Sequence, residues 1–304
     1  AMQKDNPNLK SYLNLHIIVF IWGFTAILGE LITVKEEAVV WYRMGLAGLF
    51  MLLYVLITKK PWRLPFKSFT HLIGVGLLIA LHWIFFFKAI NVSNVSITLA
   101  VFSTGAFFAS ILEPIFFNRK MLWYEVFFGL IIIGGLLIIM QVETQYILGM
   151  AYALFSVFLG VLFTLFNGKL IQKYDPSVIT LYEFLAGAAF VTVFLLFDRK
   201  FTPEFFDVSA RDWGLLIVLA SLCTAYAFTA SVNVMKKLSP YTVMLTTNME
   251  PVYGIILAYF ILGDKEQMSP GFYIGALIIL ATVLLNGVLK NYKKPKEIIK
   301  KESI

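Results

Sequence analysis

Ionisable side chains set inside long apolar runs are the residues of this chain best able to do chemistry. A charge near a bilayer centre costs several kcal/mol unless it meets a partner or water. Glu250 is the sharpest instance: it lies near the middle of the run Tyr241–Leu262, beside Pro251, whose ring frees a backbone carbonyl and kinks a helix. A carboxylate there can bind a cation or an ammonium group, or gain and lose a proton; the plain alternative is a hydrogen bond to a neighbouring helix. Thr247 and Asn248 lie three and two residues earlier. At about 100° per residue, Thr247 shares the face of Glu250 better. His82 and Trp83 lie just outside the centre of the run Phe69–Ile90, where an imidazole could titrate near neutral pH and an indole could stack on a cargo. A satisfied interior histidine is the equal alternative. Lys88, in the last turn of that run, suits the negative helix end and would snorkel to the interface.

Arg43 lies about a turn inside one end of the run Ala38–Thr58, and Glu183 about a turn inside the other end of Val178–Phe197. Either could be half of a gating ion pair, Arg43 with Glu30 and Glu183 with a lysine, or each could merely snorkel. Glu113, roughly a turn from the end of Val95–Phe117, carries the same two readings. Trp22 and Tyr226 fall near mid-run and could line a cavity or face lipid. Ser103, Thr104 and Gly105 offer a small polar surface at the level of Glu250, suited to close packing or to cargo. Pro114 and Pro251 are the two expected helix kinks.

These residues need elements that hold them in lipid. Hydrophobic residues make up 60% of the 304 and charged residues only 14%, far from a soluble domain. Ten runs are long enough to cross a hydrocarbon core of about 30 Å as helices: Leu13–Ile32, Ala38–Thr58, Phe69–Ile90, Val95–Phe117, Trp123–Met140, Ile147–Ile171, Val178–Phe197, Asp212–Met235, Tyr241–Leu262 and Pro270–Leu289. Their continuous apolar character favours helices over the alternating strands of a barrel. The first run is too long for a cleaved signal peptide and is expected to stay attached. The single Cys223 permits no internal disulfide.

Lysine and arginine are lopsided across alternate loops, eighteen against five, with Arg43 and Lys88 inside runs. Cationic residues in short loops are retained on the cytoplasmic side, so both termini are expected there, in a multi-pass protein of the cell (inner) membrane. The net charge of +7 is then an orientation signal and a link to anionic lipid headgroups rather than to nucleic acid.

The second half echoes the first. Ser103-Thr104-Gly105-Ala106-Phe107-Phe108 aligns with Asn248-Met249-Glu250-Pro251-Val252-Tyr253 at an offset of 145, Gly129 meets Gly275 after one gap, and Trp41-Tyr42-Arg43 meets Leu181-Tyr182-Glu183 at an offset of 140. Five runs per half is an odd number, so the second half enters the membrane from the opposite side. The expected fold is an all-α polytopic membrane protein of ten transmembrane helices arranged as two inverted five-helix repeats, a device that alternates access to a central site. The boundaries are 1–12 for an N-terminal cytoplasmic segment, 13–140 and 147–289 for the repeats, and 290–304 for a basic tail.

With Trp22-Gly23, Trp41-Tyr42-Arg43, Lys237-Leu238-Ser239-Pro240-Tyr241 leading into Glu250-Pro251, and Leu262-Gly263-Asp264-Lys265-Glu266 followed by Gly275, the chain resembles the EamA group of the drug/metabolite transporter superfamily. The likeness covers about Leu13 to Leu289. The first repeat departs from the pattern in having Ala106 where the family often has proline and Glu113-Pro114 lower in the same run. The resemblance implies a cavity between the halves and export of small metabolites, amino acids among them, by alternating access.

The residues then suggest a secondary carrier in which Glu250 meets a cargo ammonium group or a coupling proton; a monomer could suffice. A competing intramembrane enzyme would need a nucleophile–base pair or clustered acids near one interface, and none stands out. A passive channel would need a ring of matching polar residues. With three histidines and one cysteine a metal site is not expected, no phosphate-binding glycine pattern appears, and neither a cofactor nor enzymatic activity is expected.

Overall fold

The computed structural model describes residues 7–301, and among them no strand occurs. The first half comprises α1 (Pro7–Leu31), α2 (Glu36–Ile57), α3 (Phe66–Val92), α4 (Val95–Phe102), α5 (Gly105–Phe117) and α6 (Trp123–Val142). After a 3-10 turn at Thr144–Tyr146 come α7 (Ile147–Leu170), α8 (Pro176–Phe197), the short α9 (Pro203–Phe206) and α10 (Ala210–Ala220). A π-helical segment, Ser221–Tyr226, joins α10 to α11 (Ala227–Val234), and α12 (Pro240–Thr247), α13 (Glu250–Leu262) and α14 (Pro270–Lys301) complete the chain.

Eight helical stretches are long and apolar enough to cross a bilayer, with Val95–Phe117, Ala210–Val234 and Pro240–Leu262 each crossing as a broken helix. Two of the ten expected runs are shorter apolar helices, Val126–Val142 and Pro270–Leu285. The surface is correspondingly apolar: Phe197, Trp123, Phe260 and Leu277 stand largely exposed, as lipid-facing side chains do. The chain is a multi-pass membrane protein. The expected basic tail, 290–304, continues the α14 backbone as far as Lys301; its side chains, and residues 1–6 of the expected N-terminal segment, lie outside the described residues.

The internal repetition extends to element boundaries. At an offset of 145, α4 and α5 coincide end for end with α12 and α13, and at 140, α2 coincides with α8. The caps repeat as well: Asn94 accepts from the Ile97 amide at the start of α4, and Ser239 from the Thr242 amide at the start of α12. Lys59 and Arg199, 140 apart, both take φ near 52°, and Asn118 and Gly263, 145 apart, both have positive φ where α5 and α13 end.

Packing joins the halves. α2 lies against its own counterpart α8, α6 lies against α14, and α3 packs on both α7 and α8. The α6–α14 contact depends on small residues, since a Cβ added at Gly135 would lie 3.0 Å from the Gly275 carbonyl oxygen and one at Gly275 only 2.7 Å from that of Gly135.

A cross-half cap holds α4. Glu266 Oε1 accepts from the Val95 amide at 3.0 Å and Oε2 from the Ser96 amide at 2.8 Å, so helix-end donors that lipid could not satisfy are met by a buried carboxylate. Glu266→Ala is expected to lower stability by about 2 kcal/mol, the scale of a lost cap with charge-assisted bonds. Thermal unfolding in detergent should show a drop of several degrees; an unchanged midpoint would mean that water replaces the carboxylate.

Candidate functional site

Two of the broken crossings, Val95–Phe117 and Pro240–Leu262, break in the same way. Ser103 and Thr104 bond back three residues to Ala100 and Val101, and Asn248 and Met249 likewise to Leu245 and Thr246, so each crossing tightens for one turn and restarts. Pro251 fits the second break, because its missing amide leaves the Thr247 carbonyl without a helical donor. The first break needs no proline: Ala106 stands at the equivalent place, and Pro114, expected as a kink, sits within the continuous α5.

The restart of α13 places Glu250 on a cavity of about 100 Å³ between the halves, bounded by α1, α2, α3, α7, α11 and α12. Thr247 and Asn248 both line it, since the tightened turn brings both residues to one side. Arg43 reaches the same cavity from α2, fully buried, with its guanidinium carbon 3.7 Å from the Trp83 ring centroid and Nε donating to Thr224 Oγ1 at 2.7 Å. Trp22, His82 and Phe102 complete this part of the wall. His82 is held on Nδ1, which donates to the Ser156 carbonyl at 2.7 Å, and Trp22 Nε1 donates to the Cys223 carbonyl at 3.2 Å.

Within the cavity Arg43 and Glu250 attract each other without closing into an ion pair. Neither Arg43 nor Glu250 belongs to an ion pair among the described residues. Arg43 Nη1 and Asn248 Nδ2 are buried donors with no acceptor, and Asn167 Oδ1, on a third lining residue, is an acceptor with no donor. Unmet buried groups cost about 1–3 kcal/mol each, so a set of them on one cavity marks a site shaped for something polar.

Several expected site residues lie elsewhere. The bonds of Arg43 go to Thr224 and Trp83, not to Glu30, because α2 turns that face to the interior. Glu183 is fully buried and receives a bond from Asn167 Nδ2, so no lysine pairs with it and it does not snorkel. Tyr226 is half exposed and borders a separate, outer cavity of about 590 Å³, because the π turn preceding α11 rotates the face it presents. Ser103 and Thr104 are buried at the α4–α5 break but do not line the cavity; Thr104 Oγ1 donates to the Val101 carbonyl. Lys88 sits 5.2 Å from the Tyr152 ring, away from the cavity. Glu113 does form an ion pair, with Arg119 at 3.1 Å.

Sequence reading missed Asn167 and Thr224. An asparagine inside the apolar stretch Phe163–Leu170 was a visible signal; Thr224 could be found only through the π turn that aims it at Arg43. It also missed the clasp between loops in which Lys60 Nζ donates to Asp175 at 2.7 Å. That hydrogen bond and the attraction behind it hold the Lys60 ammonium above the ordinary lysine value. Partial burial pushes Asp175 up, but Lys60 and Ser177 outweigh it and hold the carboxyl below its usual range.

Comparison with known proteins agrees with this architecture. The model of the EamA-like transporter family matches twice, over residues 9–141 and 147–288. An "Uncharacterized transporter" of Archaeoglobus fulgidus is 23% identical over 91% of this chain and 97% of its own length. The "Uncharacterized transporter YxxF" of Bacillus subtilis is 21% identical over 96% of each. A solved crystal structure superposes with a TM-score of 0.70 over 94% of this chain and 99% of that one, at 15% identity, a likeness of fold alone. Two family matches that together span nearly the whole chain make this protein a member of the EamA-like transporter family.

Proposed function

We infer that this membrane transporter is a secondary active carrier that exports a small zwitterionic metabolite, of the amino-acid class, by alternating access. The observation that carries the reading is the pair of unpaired opposite charges, Arg43 and Glu250, on one buried cavity. A carboxylate on the cargo would give Arg43 Nη1 its acceptor, and an ammonium group would neutralise Glu250, so one zwitterion meets both unmet needs. The aromatic wall of Trp22, Trp83, Phe102, Phe163 and Phe228 would take an apolar side chain.

The alternating device is two inverted repeats of five crossings each, ten in all. Repeated boundaries at offsets of 140 and 145, and the packing of α2 on α8 and α6 on α14, favour a two-fold relation, since an element touching its own counterpart lies beside the axis. Both termini lie in the cytoplasm of a cell whose inner membrane holds the protein, on the lysine-rich side, and one chain encloses one pathway.

Counterflow of a labelled amino acid in proteoliposomes tests the cargo class. Unlabelled amino acid is expected to compete at least tenfold better than its decarboxylated amine or its deaminated acid, because each analogue leaves one charge unmet at about 1.5–3 kcal/mol. Equal competition by the amine or the acid would sink the zwitterion reading.

A further inference from the structure

Buried carboxylates among the described residues are supplied with donors, with two exceptions, one on the cavity and one inside the bundle. Glu266 takes two amides, Glu143 takes the Ser269 amide and Gln145, Asp212 takes the amide and hydroxyl of Thr33, and Glu113 takes Arg119. Glu250 faces the cavity. Glu183 is as deeply buried as any of them, yet it receives one long bond, 3.4 Å from Asn167 Nδ2 to Oε2. Its Oε1 has no partner, and neither has the Asn167 Oδ1.

Two orphaned acceptors on one contacting pair are satisfied together by a single proton. A carboxylic acid at Glu183 can donate its O–H to the Asn167 oxygen while still accepting from the amide nitrogen, the cyclic arrangement of an acid with an amide. Exchanging the amide oxygen and nitrogen of Asn167 leaves the need in place, since an acceptor would then face the carboxyl directly. An ionised Glu183 would instead be a buried charge without a counter-ion.

Nothing charged on the surrounding helices substitutes for that proton. On α2, Arg43 is bound to Thr224 and stacked on Trp83, and on α3, His82 is bound to Ser156. On α7, Lys169 lies over the Phe116 and Phe117 rings, and on α8 itself Tyr182 donates to the Trp62 carbonyl. The π segment offers the buried Cys223 and Tyr226, which is half exposed on the separate cavity, and α11 offers only neutral groups, the hydroxyls of Thr229 and Ser231 and the amide of Asn233. The α3 and α8 backbones also approach closely here: a Cβ on Gly76 of α3 would come within 2.5 Å of the Glu183 carbonyl oxygen. Asn167, in contrast, lines the central cavity and so joins Glu183 to it.

We propose that Glu183 is a proton-binding site: its carboxyl holds a proton on Oε1 in this conformation and exchanges it with the central cavity by way of Asn167, which makes the proton the coupling ion. The binding site rests on geometry alone; the coupling rests on the carrier reading given above.

Infrared difference spectra of the protein in lipid nanodiscs, recorded across pH in the Glu250→Gln background, test the site without any cargo. A protonated-carboxyl band is expected that disappears at high pH, is missing when Glu183→Gln is added, and shifts with Asn167→Leu because its carbonyl loses a donor. No band at any pH, a band that survives Glu183→Gln, or one indifferent to Asn167→Leu would overturn the proposal. Glutamine keeps the shape of the protonated acid and its donor, so unfolding of that variant is not expected; Asn167→Leu supplies a second reading independent of it. For coupling, a pH gradient should drive accumulation of labelled alanine in wild-type proteoliposomes, with the response lost in Glu183→Gln. Alanine exchange that ignores the gradient would remove the coupling step, whereas absent alanine exchange would count against the amino-acid reading while the infrared band still decides the site.

Discussion

Replacing Arg43 by Met is expected to abolish transport while leaving the unfolding temperature within a few degrees of wild type. The guanidinium contributes three things: a bond from Nε to Thr224, a stack on Trp83 and an unmet Nη1 at the cavity. Loss of the first is tolerable, since Thr224 Oγ1 still donates to the Leu219 carbonyl at 2.7 Å. Loss of the stack costs on the order of 2 kcal/mol. Against these stands relief from burying a cation without a counter-ion, and apolar replacement of buried charge is often neutral or better. Transport has no such compensation, because the variant offers nothing to a cargo carboxylate. Arg43→Lys should restore little: an ammonium neither forks nor stacks as a guanidinium does. Counterflow and thermal unfolding measured on the same preparations decide the matter. Transport surviving in Arg43→Met would reduce Arg43 to a structural cation.

Glu250→Gln should lower amino-acid counterflow at least tenfold, again with little change in folding. The carboxylate stands at the first residue of α13, whose N-cap Met249 offers no side-chain cap, so the positive end of a half-helix and an acid share the cavity edge. Glutamine keeps the volume and a hydrogen-bonding oxygen. It removes the charge that an ammonium group needs, a loss of about 1.5–3 kcal/mol in binding. The counterpart of Glu250 in the first repeat is Gly105, so no second acid can take over the role. Glu250→Asp retains the charge and should recover part of the activity if charge is what matters. Wild-type counterflow in Glu250→Gln would make this residue a structural group at a helix restart.

The repeat equates Arg43 with Glu183, and the structure separates them. Arg43 and Glu183 occupy corresponding places on α2 and α8, which pack against each other, yet one lines the cavity with a cation and the other sits behind Asn167 as an acid. Divergence of these two positions gives a repeated scaffold a cation on the cavity in one half and a buried acid behind it in the other.

Composition and run length alone determined an all-helical membrane protein, because lipid leaves the backbone few ways to satisfy itself. Spacing alone also placed the repeat: the 145-residue offset drawn from Ser103-Thr104-Gly105 and Asn248-Met249-Glu250 falls on the two helix breaks. Glu250, Trp22, His82, Trp83 and Arg43 were legible as odd residues in apolar surroundings, and all of them reach one cavity. Partnership was not legible, because each partner comes from a helix distant in sequence: Thr224 for Arg43 is 181 residues away, and the Val95 and Ser96 amides for Glu266 are 171 and 170 away. Nor was the direction of Tyr226, which a π turn of local backbone geometry rotates outward. Sequence thus determined which residues were costly to bury, through their chemistry; only the tertiary packing of the helices decided what each of them faces.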